Sequence, residues 1–214
     1  MSTTIYVNHR ESQREGILEA AEELFIQKGI EQVTIGKIAK EARLTRATIY
    51  KYFSNKEEIA KEIYTNMTEG WRERHEKEVW SFAGNGYQRL ENFLLSFFAY
   101  LFQNPREARF ISELNYLYAK HWSAESFIQT MRGNLQDDFD FVHESIQQGI
   151  EDGSLRADIE ADVILAAFFN FLPGMINRFG GMGDKVQTEF GLNPETIFIQ
   201  VCRIFLDGLK ASSE

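Results

Sequence analysis

The chain has 214 residues, 43% of them hydrophobic, with 23 basic and 32 acidic side chains and a net charge of −9. That length supports one or two domains with a sizeable core, and a composition with only 3 prolines indicates a globular, mostly helical chain. The single cysteine, Cys202, excludes an internal disulfide and suits a reducing cytoplasm, while bulk acidity would repel nucleic acid except at a local basic patch.

The opening MSTTIYVNHRES lacks the apolar core of a signal peptide. A first helix is expected over Ser12–Lys28, with Ile17, Ala20, Ala21, Leu24 and Phe25 on one face. Thr34 can cap a second, short helix, in which Ile35, Ile38, Ala39 and Ala42 recur at helical spacing. Thr45 opens a third helix. Ile49 and Phe53, four apart, face the core there, which leaves Arg46, Ala47, Thr48, Lys51 and Tyr52 outward. Ser54 and Glu57 read as the capping box of a fourth helix, Asn55–Glu76, burying Ile59, Ile63, Met67 and Trp71. Lys56 at that N-terminus opposes the macrodipole, so a phosphate contact is expected there in preference to a structural purpose.

Two short helices joined by a tight turn are the build of a helix-turn-helix, whose second helix enters the DNA major groove. Between Thr34 and Lys56 six basic residues face one acidic residue, Glu41. A three-helix cap with a solvated basic face is the competing reading. The hydroxyl and aromatic residues interleaved with the cations weigh against it. Residues 1–65 hold ten basic and ten acidic residues, so the remainder carries the whole negative charge and would repel DNA.

Beyond the head the chain reads as successive helices with no strand. Gly84, Asn85 and Gly86 mark a break before an aromatic-rich helix, Tyr87–Gln103. Asn104, Pro105 and Glu107 occupy the cap, first and third positions of the next, reaching Lys120. Ser126–Glu151 carries Phe127, Met131, Leu135, Phe139, Val142, Ile146 and Ile150 in periodic positions. Ala161–Phe179 follows, then a Gly-rich loop, then Pro194–Lys210. The most apolar run, Val163–Ile176, is shorter than a membrane span and is interrupted by Asn170 and Pro173. Pro173 should kink its helix and free a carbonyl.

The head resembles the DNA-binding domain of the tetracycline-repressor-like (TetR) family of bacterial transcription regulators. The resemblance rests on Gly29 closing the first helix, Thr34 opening the second, Ile38-Ala39, the run from Thr45 through Phe53, and Lys56-Glu57 after the turn. It covers about the first quarter of the chain and is a multi-position signature. One departure is Arg43, where the family's turn commonly has glycine; a side chain there must adopt a left-handed conformation or shift the turn type, and Arg43 can gain a phosphate contact in exchange. The resemblance implies that Thr34, Tyr50, Lys56 and the helix start at Thr45 hold phosphates. It further implies that Arg46, Thr48, Lys51 and Tyr52 read base edges, with Ala47 small to allow close approach. In the family the last two helices form a four-helix dimer interface. Ile164, Phe168, Phe171 and Ile176 with Val201, Ile204 and Phe205 are the corresponding candidates here, against the alternative of a central helix in a monomer core. Dimers suit a helix-turn-helix because two recognition helices can then sit about 34 Å apart, one DNA turn.

Most of the body's aromatic residues are expected to be core, with a subset lining a pocket between helices. The pocket candidates are Met67, Phe97, Tyr100, Phe110, Tyr116, Trp122, Met131 and Phe169, with Asn115, Tyr116, Gln129 and Asn170 as polar groups able to orient a ligand. A lipophilic cation, a fatty-acyl compound and a neutral aromatic all fit such a composition. Catalytic signals are weak: there is no phosphate loop, GxSxG, HExxH or paired-cysteine motif. Asp140, His143 and Glu144 share a helix face, more simply a solvated face than a metal site. Cys202 reads as a buried small hydrophobe.

The expectation is therefore an all-α chain: a three-helix helix-turn-helix DNA-binding domain at residues 1–55, then a helical-bundle ligand-binding and dimerisation domain at 56–214. As a cytoplasmic homodimer it would bind a palindromic double-stranded operator, most simply as a repressor, and be released by a small hydrophobic or aromatic effector. No cofactor, metal, membrane or enzymatic activity is expected. The rival is a helical small-molecule carrier or enzyme whose N-terminal unit is only structural, which would not need the basic island.

Overall fold

The computed structural model describes residues 2–121, 124–182 and 184–211. Among these described residues ten α-helices follow one another: α1 (Ser2–Lys28), α2 (Ile35–Glu41), α3 (Arg46–Ile49), α4 (Lys56–His75), α5 (Gly86–Gln103), α6 (Pro105–His121), α7 (Ala124–Glu151), α8 (Ala161–Met182), α9 (Asp184–Phe190) and α10 (Pro194–Asp207). A π-helical turn, Glu76–Trp80, follows α4. Among the described residues the only β pairing is an isolated bridge between Leu155 and Lys210. The fold is all-α.

Two apolar cores divide the molecule. The first gathers Ile17, Ala21, Leu24 and Phe25 of α1, Ile38 and Ala39 of α2, Ile49 and Phe53 at and just after α3, and Ile59, Ala60, Ile63 and Tyr64 of α4. Phe110, Leu114 and Leu117 of α6 complete it, so the head packs directly on the body. Ion pairs reinforce that seam, Lys120 with Glu31 at 2.7 Å and Arg106 with Glu23. The second core runs from Trp71 through α5, α7, α8 and α10. α4 and α6 thus contribute to head and body alike.

Several expectations need correcting. The cap of α4 is Asn55, whose Oδ1 accepts from Glu58 N at 2.8 Å, while Glu58 Oε2 accepts from Ser54 N at 2.6 Å. The expected Ser54–Glu57 box is therefore displaced by one residue. Gly86 lies inside α5, with Asn85 and Gln88 forming the capping box; a Cβ on Gly86 would sit 2.2 Å from the Gly149 backbone. These two glycines let α5 and α7 cross closely, which their reading as a chain break misses. The Gly-rich stretch is helical too: α8 continues through Gly180, where a Cβ would lie 2.7 Å from the Ala108 carbonyl, and α9 follows. α8 is accordingly longer than expected. By length and composition alone Ala161–Gly180 could cross a membrane, although most of it is not buried within this chain. Pro173 is accommodated inside α8. Helical torsions are lost instead in α7, at Leu135 (φ −118°, ψ 16°).

Candidate nucleic-acid interface and body cavity

The helix-turn-helix is built by its caps. Thr34, extended at φ −117°, accepts from Lys37 N through its hydroxyl at 3.3 Å and starts α2. α2 ends in a Schellman arrangement, Arg43 N donating to Lys40 O and Leu44 N to Ala39 O at 3.2 and 2.8 Å. That geometry needs a left-handed residue, and Arg43 supplies it with φ 55°, keeping the turn type at the cost glycine avoids. Thr45 then caps α3, accepting from Thr48 N at 3.1 Å, with the two hydroxyls 2.9 Å apart. Only Arg46–Ile49 is regular α-helix; the bonds Lys51 N to Thr48 O and Phe53 N to Ile49 O carry the coil on to Phe53.

Burial of Ile49 and Phe53 orients the remainder. Thr34, Arg43, Thr45, Arg46, Ala47, Tyr50 and Lys51 are exposed, Tyr50 at 57%. The Arg46 guanidinium lies against Gly36, where a Cβ would come within 2.6 Å of it. Two outward candidates are more committed than expected. Thr48 is half-buried and tied to Thr45, and Tyr52 is half-buried with its hydroxyl donating to Gln13 Oε1 at 2.7 Å. Lys56 does have a structural purpose, contrary to expectation. Its ammonium donates to the carbonyls of Ile30, Glu31 and Val33 at 2.9, 2.9 and 3.1 Å, collecting the acceptors left by the turn after α1. Gln13, Gly36 and Asn55 went unnoticed as supports of this surface.

The body holds a cavity of about 180 Å³. It is walled by Tyr64, Met67, Thr68 and Trp71 of α4, Phe93, Phe97, Tyr100 and Leu101 of α5, Glu107, Ile111 and Asn115 of α6, Leu135, Asp138 and Phe139 of α7, and Phe169, Leu172, Pro173 and Ile176 of α8. The irregular turn at Leu135 and the helical proline both fall on this wall. Trp71 meets Phe97 edge-on with centroids 5.2 Å apart, and Phe139 stacks on Phe169 at 3.7 Å.

Of the pocket candidates, Met67, Phe97, Tyr100 and Phe169 line this cavity. Phe110 does not: it is fully buried beside Phe25 in the head core. Tyr116 does not either, being 55% exposed under the Lys120 ammonium. Trp122 and the Met131 side chain lie outside the described residues. Asn115 reaches the cavity, whereas Gln129 is exposed and Asn170 is exposed and donates to Ala166 O.

Asp138 was missed. Its carboxylate is only 6% exposed and accepts from Trp71 Nε1 at 3.5 Å. Burial pushes it up to about 6, with indole N–H groups and Arg72 pulling the other way. Burial likewise raises the Tyr64 hydroxyl, helped by the Asp138 charge. A signal existed, since the three–four spacing that selects Leu135, Val142 and Ile146 also falls on Asp138. His143 faces Asp162 at 3.5 Å, and the described residues hold no cluster suited to a metal. Burial raises the Cys202 thiol to about 12.

Three of the dimer candidates are corrected. Ile164, Phe168 and Ile176 are buried in this chain's own core and have no surface to offer a partner. Ile204 is 72% exposed, Val201, Phe171 and Phe205 are half-buried, and Phe171 stacks on Phe205 at 4.5 Å.

Residues 17–63 match the family model described as bacterial regulatory proteins, tetR family. The HTH-type transcriptional regulator YdeS of Bacillus subtilis is 48% identical over 46 residues, 22% of this chain and 23% of YdeS, so that likeness is confined to less than a quarter of either protein. The HTH-type transcriptional regulator AcrR of Shigella flexneri is 25% identical over 163 residues, 74% of this chain and 75% of AcrR. In fold, the chain is similar to the transcriptional regulator FadR from Bacillus subtilis in complex with stearoyl-CoA. The TM-score is 0.69 and identity 20%, covering 91% of this chain and 98% of FadR.

Proposed function

Since the chain belongs to the TetR family of bacterial transcriptional regulators, we propose that it works in the cytoplasm as a homodimeric repressor, binding a palindromic operator and released by a small apolar effector held in the body. The observation that carries this reading is the double role of α4 and α6. On α4, Ile59, Ala60 and Ile63 pack in the head core, while Met67, Thr68 and Trp71 wall the cavity. On α6, Phe110 and Leu114 pack in the head core, while Glu107, Ile111 and Asn115 wall the cavity. A guest that repositions the cavity walls must act on the helices carrying the head. It lowers DNA affinity by as much as it prefers the non-DNA state.

Arg46, Ala47, Tyr50 and Lys51 are the exposed residues of the recognition element, with Thr34, Arg43 and Thr45 as phosphate contacts around them. Lys56 supports the turn beneath them. The dimer is assigned to exposed Val163 and half-buried Phe171 of α8 with exposed Ile204 and half-buried Val201 and Phe205 of α10, a partly exposed apolar face that explains the hydropathy of α8 without a membrane. The reading is tested by selecting bound duplexes from random DNA with the full chain. A two-fold symmetric sequence should emerge, with affinity falling steeply as salt rises. Arg46→Ala should relax preference at one base position of each half-site, at about 1–3 kcal/mol. Enrichment of no symmetric sequence, or an unchanged selection with Arg46→Ala, refutes it.

A further inference from the structure

We infer that the body cavity takes a lipophilic cation, a protonated or quaternary amine on a compact aromatic or apolar frame, with its charge seated on Asp138. This rests on the effector reading above and deepens it by assigning the effector's charge. Asp138 is buried, yet the partner it shows is a neutral indole donor at a long 3.5 Å. Arg72, the basic residue whose charge acts on Asp138, spends its guanidinium on exposed Asp137 at 2.9 Å, and no ion pair to Asp138 occurs among the described residues. The buried Trp80 N–H also acts on this carboxylate but stays outside hydrogen-bonding geometry, so it too is a neutral and incomplete partner. A carboxylate in such a place is costly unless a cation compensates it.

The rest of the cavity points the same way. Trp71, Phe93, Phe97 and Tyr100 line it as a cluster of mutually packed rings, the kind of surface that attracts an alkylammonium. Glu107, which accepts from the Tyr100 hydroxyl, adds a second acidic group. No lysine or arginine lines the cavity among the described residues, so a carboxylate or phosphate head group would meet two acids and no counter-charge. A neutral guest would leave Asp138 as costly as before. The volume of about 180 Å³ suits a compact guest, since a cavity of about 150 Å³ accommodates benzene.

The test compares two isosteres that differ by one charge, phenyltrimethylammonium and tert-butylbenzene, by calorimetry on the full chain at neutral pH. Wild type should bind the cation at least tenfold more tightly. Asp138→Asn should lose that preference while still binding tert-butylbenzene, and an intact melting transition verifies that the variant is folded. Equal or tighter binding of tert-butylbenzene by wild type overturns the assigned charge and leaves the effector reading standing, a comparison that needs no variant. A cation preference that persists in folded Asp138→Asn overturns Asp138 as its seat. Binding of neither compound overturns the proposal and removes this cavity from the effector reading as well.

Discussion

Asp138→Asn isolates the cost of holding a carboxylate in the body core. Burial moves the group from its ordinary 3.8 up to about 6, a displacement of about 3 kcal/mol at about 1.4 kcal/mol per tenfold change in proton affinity. Because the folded-state value lies above the unfolded one, the folded chain binds the proton more tightly. Any stability associated with Asp138 is fully present below about pH 4 and is lost as pH rises through about 6. Asparagine keeps an acceptor for the Trp71 N–H and does not titrate. At pH 8 the empty variant should therefore be more stable than wild type by up to about 3 kcal/mol. The advantage should shrink toward zero near pH 4. Urea unfolding of both proteins from pH 4.5 to 8 measures the difference, in which the exposed carboxylates common to both cancel. Asp137, Arg72 and Tyr64 are the charged or titratable groups acting with Asp138 and are unchanged in the variant. A stability difference that does not vary with pH, or a variant less stable than wild type at pH 8, refutes the reasoning.

Three further outcomes follow from the packing. Ile204→Asp places a charge on a side chain already 72% exposed in one chain; it should leave helicity intact yet convert the proposed dimer to monomer in analytical ultracentrifugation, and a wild-type monomer at micromolar concentration would refute the assigned face. Lys56→Met removes the ammonium that satisfies three carbonyls; thermal and urea melts should show a loss of about 2 kcal/mol, and weakened DNA binding with an unchanged melt would return Lys56 to a purely phosphate-binding role. Phe110→Ala empties a fully buried site and should cost about 3–5 kcal/mol, whereas Phe97→Ala enlarges an existing cavity and should cost clearly less in the same melts, equal losses contradicting the distinction between the two.

What could be read from residue order depended on the range of the forces involved. Caps, turns and helical periodicity act over a few residues, so Thr34, Thr45, Ile49 and Phe53 take their places from local pattern alone. Lys56 shows where that logic stops. Its disagreement with the helix dipole was legible, but its partners lie 23 to 26 residues away, on carbonyls whose positions depend on the packing of α1 against α4. Gly86, Gly149 and Gly180 mislead for the same reason: in sequence a glycine signals a break, and only a neighbouring helix turns it into a crossing point. α8 presents the converse case. Its run of apolar residues gives no way to divide the side chains used by the chain's own core, Ile164, Phe168 and Ile176, from those left facing outward, Val163 and Phe171. That division is set by where α6 and α10 land. Asp138 was partly legible, because it falls in register with an apolar stripe. A polar residue in that register conflicts with the helix's own pattern, and such a conflict persists only where something else compensates it. Here the described partners do not, and a cationic guest would.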